Sequence, residues 1–234
     1  MKLTTVRKLN KSIRISSLTI AVLIISAMAL SGGLYAKYVR EFSFEGSLTI
    51  SVDLAKSFSL YEHQVAQNSD GTYVVSSGAR VASNTYHVVP GIDIPKDPTI
   101  EIVEKTKIPA LLYLEVVDGV DHREINFELE DRWEFMADIE GVHEGSKVYV
   151  YASGGMPVVF DNTMDPDSML NIGIIENDIL TVSANAKYDS DISLDFYAHL
   201  VQIDEKKDNA PYDYTDARNL FDDFRMKITS APAA

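Results

Sequence analysis

The residues that could do chemistry are few and dispersed. His63, His87, His122, His143 and His199 are scattered along the chain. A helical zinc-protease site needs two histidines at i and i+4 around a glutamate. His122-Arg123-Glu124 and His143-Glu144 both lack the second histidine, so all five read as solvated or strand-surface side chains. There is no Gly-x-Ser-x-Gly elbow for a serine nucleophile, and no Lys-Ser/Thr follows Gly154-Gly155 as a phosphate loop requires. The best cluster is Asp161-Asn162-Thr163-Met164-Asp165-Pro166-Asp167. Hard oxygen ligands on one loop suit calcium, with Asp161, Asp165 and Asp167 as the ligands. The loop lacks the EF-hand glycine and has Ile172 where the closing glutamate would stand. Any calcium there is expected to be structural and loosely held. Asp189-Ser190-Asp191 is a lesser version of the same pattern.

Glu101, Glu104, Glu115 and Glu128–Asp131 contain the carboxylates that glycoside hydrolysis would need, but solvated strand faces account for them. Trp133, the single tryptophan, reads as a core anchor beside the strand Val148–Tyr151 rather than a sugar platform. No catalytic residue and no cofactor other than possible calcium are assigned. The chain reads as a non-enzyme.

Composition narrows the classes further. The chain has 234 residues, 46% of them hydrophobic and 24% charged, which is globular rather than disordered. It has no cysteine, which excludes disulfides, Cys-ligated zinc, iron–sulfur clusters and thiol chemistry. Net charge is −14, while residues 1–36 carry Lys2, Arg7, Lys8, Lys11 and Arg14 and no acid. The remaining body is therefore more acidic still and would repel nucleic-acid phosphates.

Those N-terminal cations belong to a targeting pattern. Met1–Arg14 is basic, Ile15–Leu30 is apolar, Ser31-Gly32-Gly33 breaks the helix, and Leu34-Tyr35-Ala36 ends small. This is the grammar of a signal peptide with a signal helix, cleaved between Ala36 and Lys37. Uncleaved, Ile15–Ala36 would be long enough to anchor the chain in a membrane. Either way the body is expected outside the cytoplasm, secreted or on the cell surface. An exported chain without cysteine points to a Gram-positive setting.

The body reads as all-β. From Phe42 the positions Phe42, Phe44, Leu48, Ile50, Val52 and Leu54 alternate with polar residues, with Gly46 as a hinge or bulge. Residues 56–84 read as a polar insertion, with a hairpin turn at Asn68-Ser69-Asp70-Gly71 and a small hairpin near Tyr73–Val75. Further strands are expected at Thr85–Val89, Thr99–Val103, Ala110–Val117, Ile125–Leu129, Lys147–Ala152, Pro157–Phe160, Ile179–Ala184 and Ile192–Ile203. Ala110–Val117 is apolar on both faces except Glu115, the mark of a central strand. Strands at this spacing predict a two-sheet antiparallel sandwich. Ala217, Leu220, Phe221 and Phe224 follow helical spacing, which predicts one short C-terminal helix with Thr215 as N-cap. The expected organisation is a signal peptide over 1–36, an N-terminal arm over 37–46, a sandwich domain over 47–228 and a flexible tail over 229–234.

Several segments in order resemble the TasA/camelysin family of Gram-positive exported proteins, which are released by a SipW-type signal peptidase. They are Ser31–Ala36, the strand Phe42–Ile50, the turn from Val89-Pro90-Gly91 to Lys96-Asp97-Pro98, and the strand Leu112–Val116. Trp133, Val148–Tyr151 and Tyr197–Gln202 follow in the same order. The resemblance implies a jelly-roll protein of the cell surface or biofilm matrix that polymerises by donor-strand exchange. Its partners would be further copies of itself, the signal peptidase during export, and other matrix proteins or polysaccharide. Tyr38, Phe42 and Phe44 would form the donor strand and Gly46 its hinge. An alternating segment with no turn of its own is, physically, a strand in search of an edge. The other arrangement is that residues 38–45 fold back as the first strand of their own domain. Two other functions are a secreted, camelysin-like metallo-endopeptidase, which no zinc motif here supports, and a monomeric adhesion module.

Overall fold

The computed structural model describes residues 33–35, 38–43, 58–102, 109–161, 171–187, 192–203 and 210–230. The expected signal helix lies outside them, as do residues 231–234 of the expected tail, while Thr229 and Ser230 end the C-terminal helix. No helix among the described residues is long and apolar enough to cross a membrane. The strands are β1 (Gly33–Tyr35), β2 (Tyr38–Ser43), β3 (Phe58–Gln67), β4 (Tyr73–Val81), β5 (Thr85–His87), β6 (Ile94–Pro95), β7 (Thr99–Ile102) and β8 (Ala110–Asp118). They continue as β9 (Ile125–Asn126), β10 (Trp133–Phe135), β11 (Lys147–Ser153), β12 (Met156–Pro157), β13 (Val159–Phe160), β14 (Asn171–Gly173), β15 (Ile179–Val182) and β16 (Ile192–Gln202). Among the described residues one α-helix, α1 (Tyr214–Ser230), follows them. The fold is all-β and mostly antiparallel, as the sequence predicts.

The largest sheet runs β10-β11-β8-β16-β1-β5. At its centre β8 and β16 pair antiparallel from Leu194 opposite Asp118 to Gln202 opposite Ala110. Their alternating side chains serve two cores. Leu112, Leu114, Val116, Leu194, Phe196, Ala198 and Leu200 pack against the other sheets, β14-β7-β3-β4 and β6-β15-β9. Leu111, Tyr113 and Val201 on the opposite face lie beneath α1, with Ala217, Phe221 and Phe224. The double-sided apolarity of residues 110–117 thus reflects a strand covered on both faces.

The stretch read as an insertion is built into a sheet. β3 lies between β7 and β4, and its Phe58, Leu60 and Tyr61 are buried. Its alternation was masked by Glu62, a buried acid at a core-facing position. The β3–β4 turn is where the Asn-Ser-Asp-Gly motif placed it. Gly71 adopts φ 87°, and Asp70 accepts the Thr72 N–H at 3.0 Å.

α1 is capped by Asp213, not by Thr215. Asp213 Oδ1 accepts the Asp216 N–H at 2.9 Å, and Asp216 Oδ2 accepts the Asp213 N–H at 2.8 Å. This reciprocal capping box satisfies two orphan donors at the helix start. The Tyr113 hydroxyl donates to the Ala217 carbonyl at 2.9 Å and ties the helix to β8. Asp213→Ala is expected to cost about 1 kcal/mol and Phe221→Ala about 3–5 kcal/mol. Urea unfolding monitored by circular dichroism measures both.

Candidate functional site

The N-terminal strand is one candidate. β2 lies parallel along β16, with Tyr38 opposite Phe196 and Phe42 opposite Leu200. Among the described residues β16 is its strand partner. β1 continues the same edge, parallel to β16 at Leu34–Ile192 and antiparallel to β5 at Leu34–Tyr86. Cleavage after Ala36 would remove β1 and leave β2 as the first strand. Ala36, Lys37, Phe44 and Gly46 lie outside the described residues. So do Asp165 and Asp167; Asp161 follows β13 and is partly buried.

The second candidate surrounds Glu115, and here the solvated reading of the sequence is corrected. Glu115 has no exposed surface and His199 is 1% exposed. β8 carries Glu115, β16 carries His199, and the loop between β10 and β11 folds His143 over the pair. Val142 N–H donates to Oε1 at 3.0 Å. His143 N–H and the Ser146 hydroxyl donate to Oε2 at 3.0 and 2.8 Å. His143 Nδ1 lies 3.1 Å from Oε2, and His199 Nε2 lies 2.9 Å from Oε1. The His143 ring stacks on Tyr197 at 3.5 Å, and His199 meets the edges of Phe221 and Phe224 at 5.9 and 5.1 Å. Gly141 allows the close approach: a Cβ there would stand 2.5 Å from Glu115 Oε2 and 1.9 Å from Ser146 Oγ.

Burial pushes the Glu115 carboxyl up, but it is outweighed. The His199 hydrogen bond and charge, with the N–H groups of His143 and Val142, bring it down to about 2. The sequence carries one signal for this site: Glu115 is the lone acid in a run apolar on both faces, where a solvated side chain has no place. His199 gave less, because Ser193 and Asp195 on the same face make it look like a half-wet strand face.

A third polar cluster is buried beside β3. Lys96 Nζ lies 3.0 Å from Glu62 Oε2, and both side chains have no exposed surface. The Tyr86 hydroxyl donates to the same oxygen at 3.2 Å, and Asn84 N–H donates to Oε1. Burial pulls the Lys96 ammonium below its ordinary range, with the Glu62 charge opposing. Asn84 also bridges β3 across its bulge, accepting Val65 N–H and donating to His63 O. The pair is sealed inside the core and serves to fix β3 against the turn after β6.

The remaining candidates have structural roles. Trp133 is the core anchor the sequence suggested: it opposes Tyr151, and its Nε1–H donates to Gly173 O at 2.9 Å. Glu101 pairs with Arg80, His122 with Asp118, and His63 with Asp97. Glu128 and Glu176 sit together in an open groove, where burial and then the Glu128 side chain raise the Glu176 carboxyl. No family model, curated protein or solved structure matches the chain.

Two expectations follow from the Glu115 geometry. An unfolded chain protonates Glu115 near 4.5, and the folded one only near 2. Between those values the unfolded state binds the extra proton, so acid favours unfolding. Glu115's contribution is complete above about pH 4.5 and is lost as pH falls toward 2. Wild type should lose thermal stability across this window more steeply than Glu115→Gln, by calorimetry at stepped pH. Gly141→Ala should destabilise by about 1–3 kcal/mol, because the added methyl forces the loop off the carboxylate; denaturant titration checks it.

Proposed function

We propose that this chain is an exported structural protein of the cell surface or biofilm matrix. It assembles into fibres by donor-strand exchange on a jelly-roll-like sandwich. Among the described residues, one large sheet and two smaller ones replace the two-sheet arrangement expected from the sequence. The N-terminal signal grammar and the ordered segments that resemble those of the TasA/camelysin family support the reading. The observation that carries it is the attachment of β2. Among the described residues this strand pairs with β16, in parallel register. A parallel pair cannot close through a tight hairpin and needs a long connection. Here that connection is all the chain between Ser43 and Ile192, so no hairpin ties β2 to β16, and the next strand in sequence, β3, belongs to a different sheet. A strand tethered this way can leave its own β16 and add to that of another copy without unravelling either core. Main-chain hydrogen bonds then supply affinity, and alternate side chains supply specificity.

A chain beginning at Lys37 should form fibres visible by negative-stain microscopy, and a Phe42→Asp, Phe44→Asp double variant should not. A chain beginning at Leu48 should remain monomeric and gain thermal stability when a peptide of residues 37–46 is added. Failure of the Lys37 chain to oligomerise, or fibres from the Leu48 chain, overturns the reading. A secreted form retaining Met1–Leu30 by mass spectrometry overturns the processing step.

A further inference from the structure

We infer that Glu115, His143 and His199 form a binding site for one divalent transition-metal ion of the zinc class. The site is independent of the fibre reading. Their ligand atoms lie within 4.8 Å of one another and come from three separated parts of the chain. The two contacts of Glu115 to the imidazoles measure 2.9 and 3.1 Å. A tetrahedral zinc with ligands at about 2.0–2.1 Å places neighbouring ligand atoms about 3.3 Å apart. Both contacts lie within about half an ångström of that spacing, and all three ligand atoms lie within 4.8 Å of one another.

The surroundings already do what the outer shell of a metal site does. On Oε2 the His143 N–H and the Ser146 hydroxyl donate beside His143 Nδ1, while on Oε1 the Val142 N–H donates beside His199 Nε2. A metal would replace the direct contact between His199 Nε2 and Oε1 and keep the other donors in place. These donors fix the carboxylate's orientation, as outer-shell partners of metal ligands do. Tyr197 fixes the plane of His143, and Phe221 and Phe224 confine His199. Two imidazole nitrogens and one carboxylate oxygen select zinc, cobalt or nickel over calcium and magnesium, which prefer all-oxygen shells.

Access and role follow from burial. His143 keeps a quarter of its side chain exposed, while Glu115 and His199 are sealed. An ion enters from the His143 side, and solvent there completes the fourth position. With its other faces closed by β8, β16 and α1, the site has no room for a polypeptide substrate. Its role is to clamp the loop over Glu115 to the two central strands.

The test is a cobalt titration of the chelator-treated full chain. The expected result is one equivalent of cobalt with intense visible d–d bands of low-coordinate nitrogen–oxygen ligation, displaced by zinc. Zinc should also raise the unfolding temperature. His143→Ala, with its fold checked by circular dichroism, should weaken zinc binding by at least about tenfold, and Glu115→Gln similarly. Glu176→Gln, in the open groove away from this cluster, should leave binding unchanged. The wild-type spectrum tests the ligand set even if a variant fails to fold. Absence of saturable binding, a faint octahedral cobalt spectrum, or equal affinity in wild type and His143→Ala overturns the site. The cluster is then a hydrogen-bonded loop anchor.

Discussion

The β8–β16 ladder is the interaction on which the rest of the molecule depends. It runs unbroken from Asp118 to Ala110 and is buried on both faces. One face supplies the floor of the inter-sheet core and the other the seat of α1. Both flanks are also in use: β11 and β13 extend the sheet from β8, and β1 and β2 extend it from β16. Glu115 and His199 project from these same two strands. Shifting the ladder by one residue would exchange the two cores and strand the carboxylate in apolar surroundings. The register is thus held by packing above, packing below and one buried polar cluster.

Strand positions were legible where side-chain period and environment agreed. Residues 147–153, 179–182 and 192–202 form strands where alternation placed them, and Ala217, Phe221 and Phe224 reach the core as their helical spacing required. Legibility failed where a buried polar residue sat in an apolar row. Glu62 made β3 look like part of a polar insertion, because its partner Lys96 lies 34 residues away. Nothing local announces such a pair. The helix cap shifted from Thr215 to Asp213 for a smaller reason: both residue types cap well, and the reciprocal acid at Asp216 decides between them.

The Glu115 cluster was illegible for a different reason. Its three parts stand at positions 115, 143 and 199, a spacing with no period to detect. Motif searches find metal or catalytic sets that share a helix or a loop; sets assembled across a sheet and a covering loop leave only indirect marks. Here the marks were an acid within a doubly apolar strand and a glycine, Gly141, whose missing side chain makes room for the carboxylate.

The parallel alignment of β2 with β16 also has a mechanical consequence. Tension applied at Ser43 along the strand axis pulls the six residues of β2 lengthwise past their neighbours. Every main-chain bond of the pair is strained together, in shear, and none can be peeled away first. The load passes through β16 into the β8 ladder at the centre of the sheet. A joint of this geometry resists stretching far better than it resists being lifted sideways from its edge.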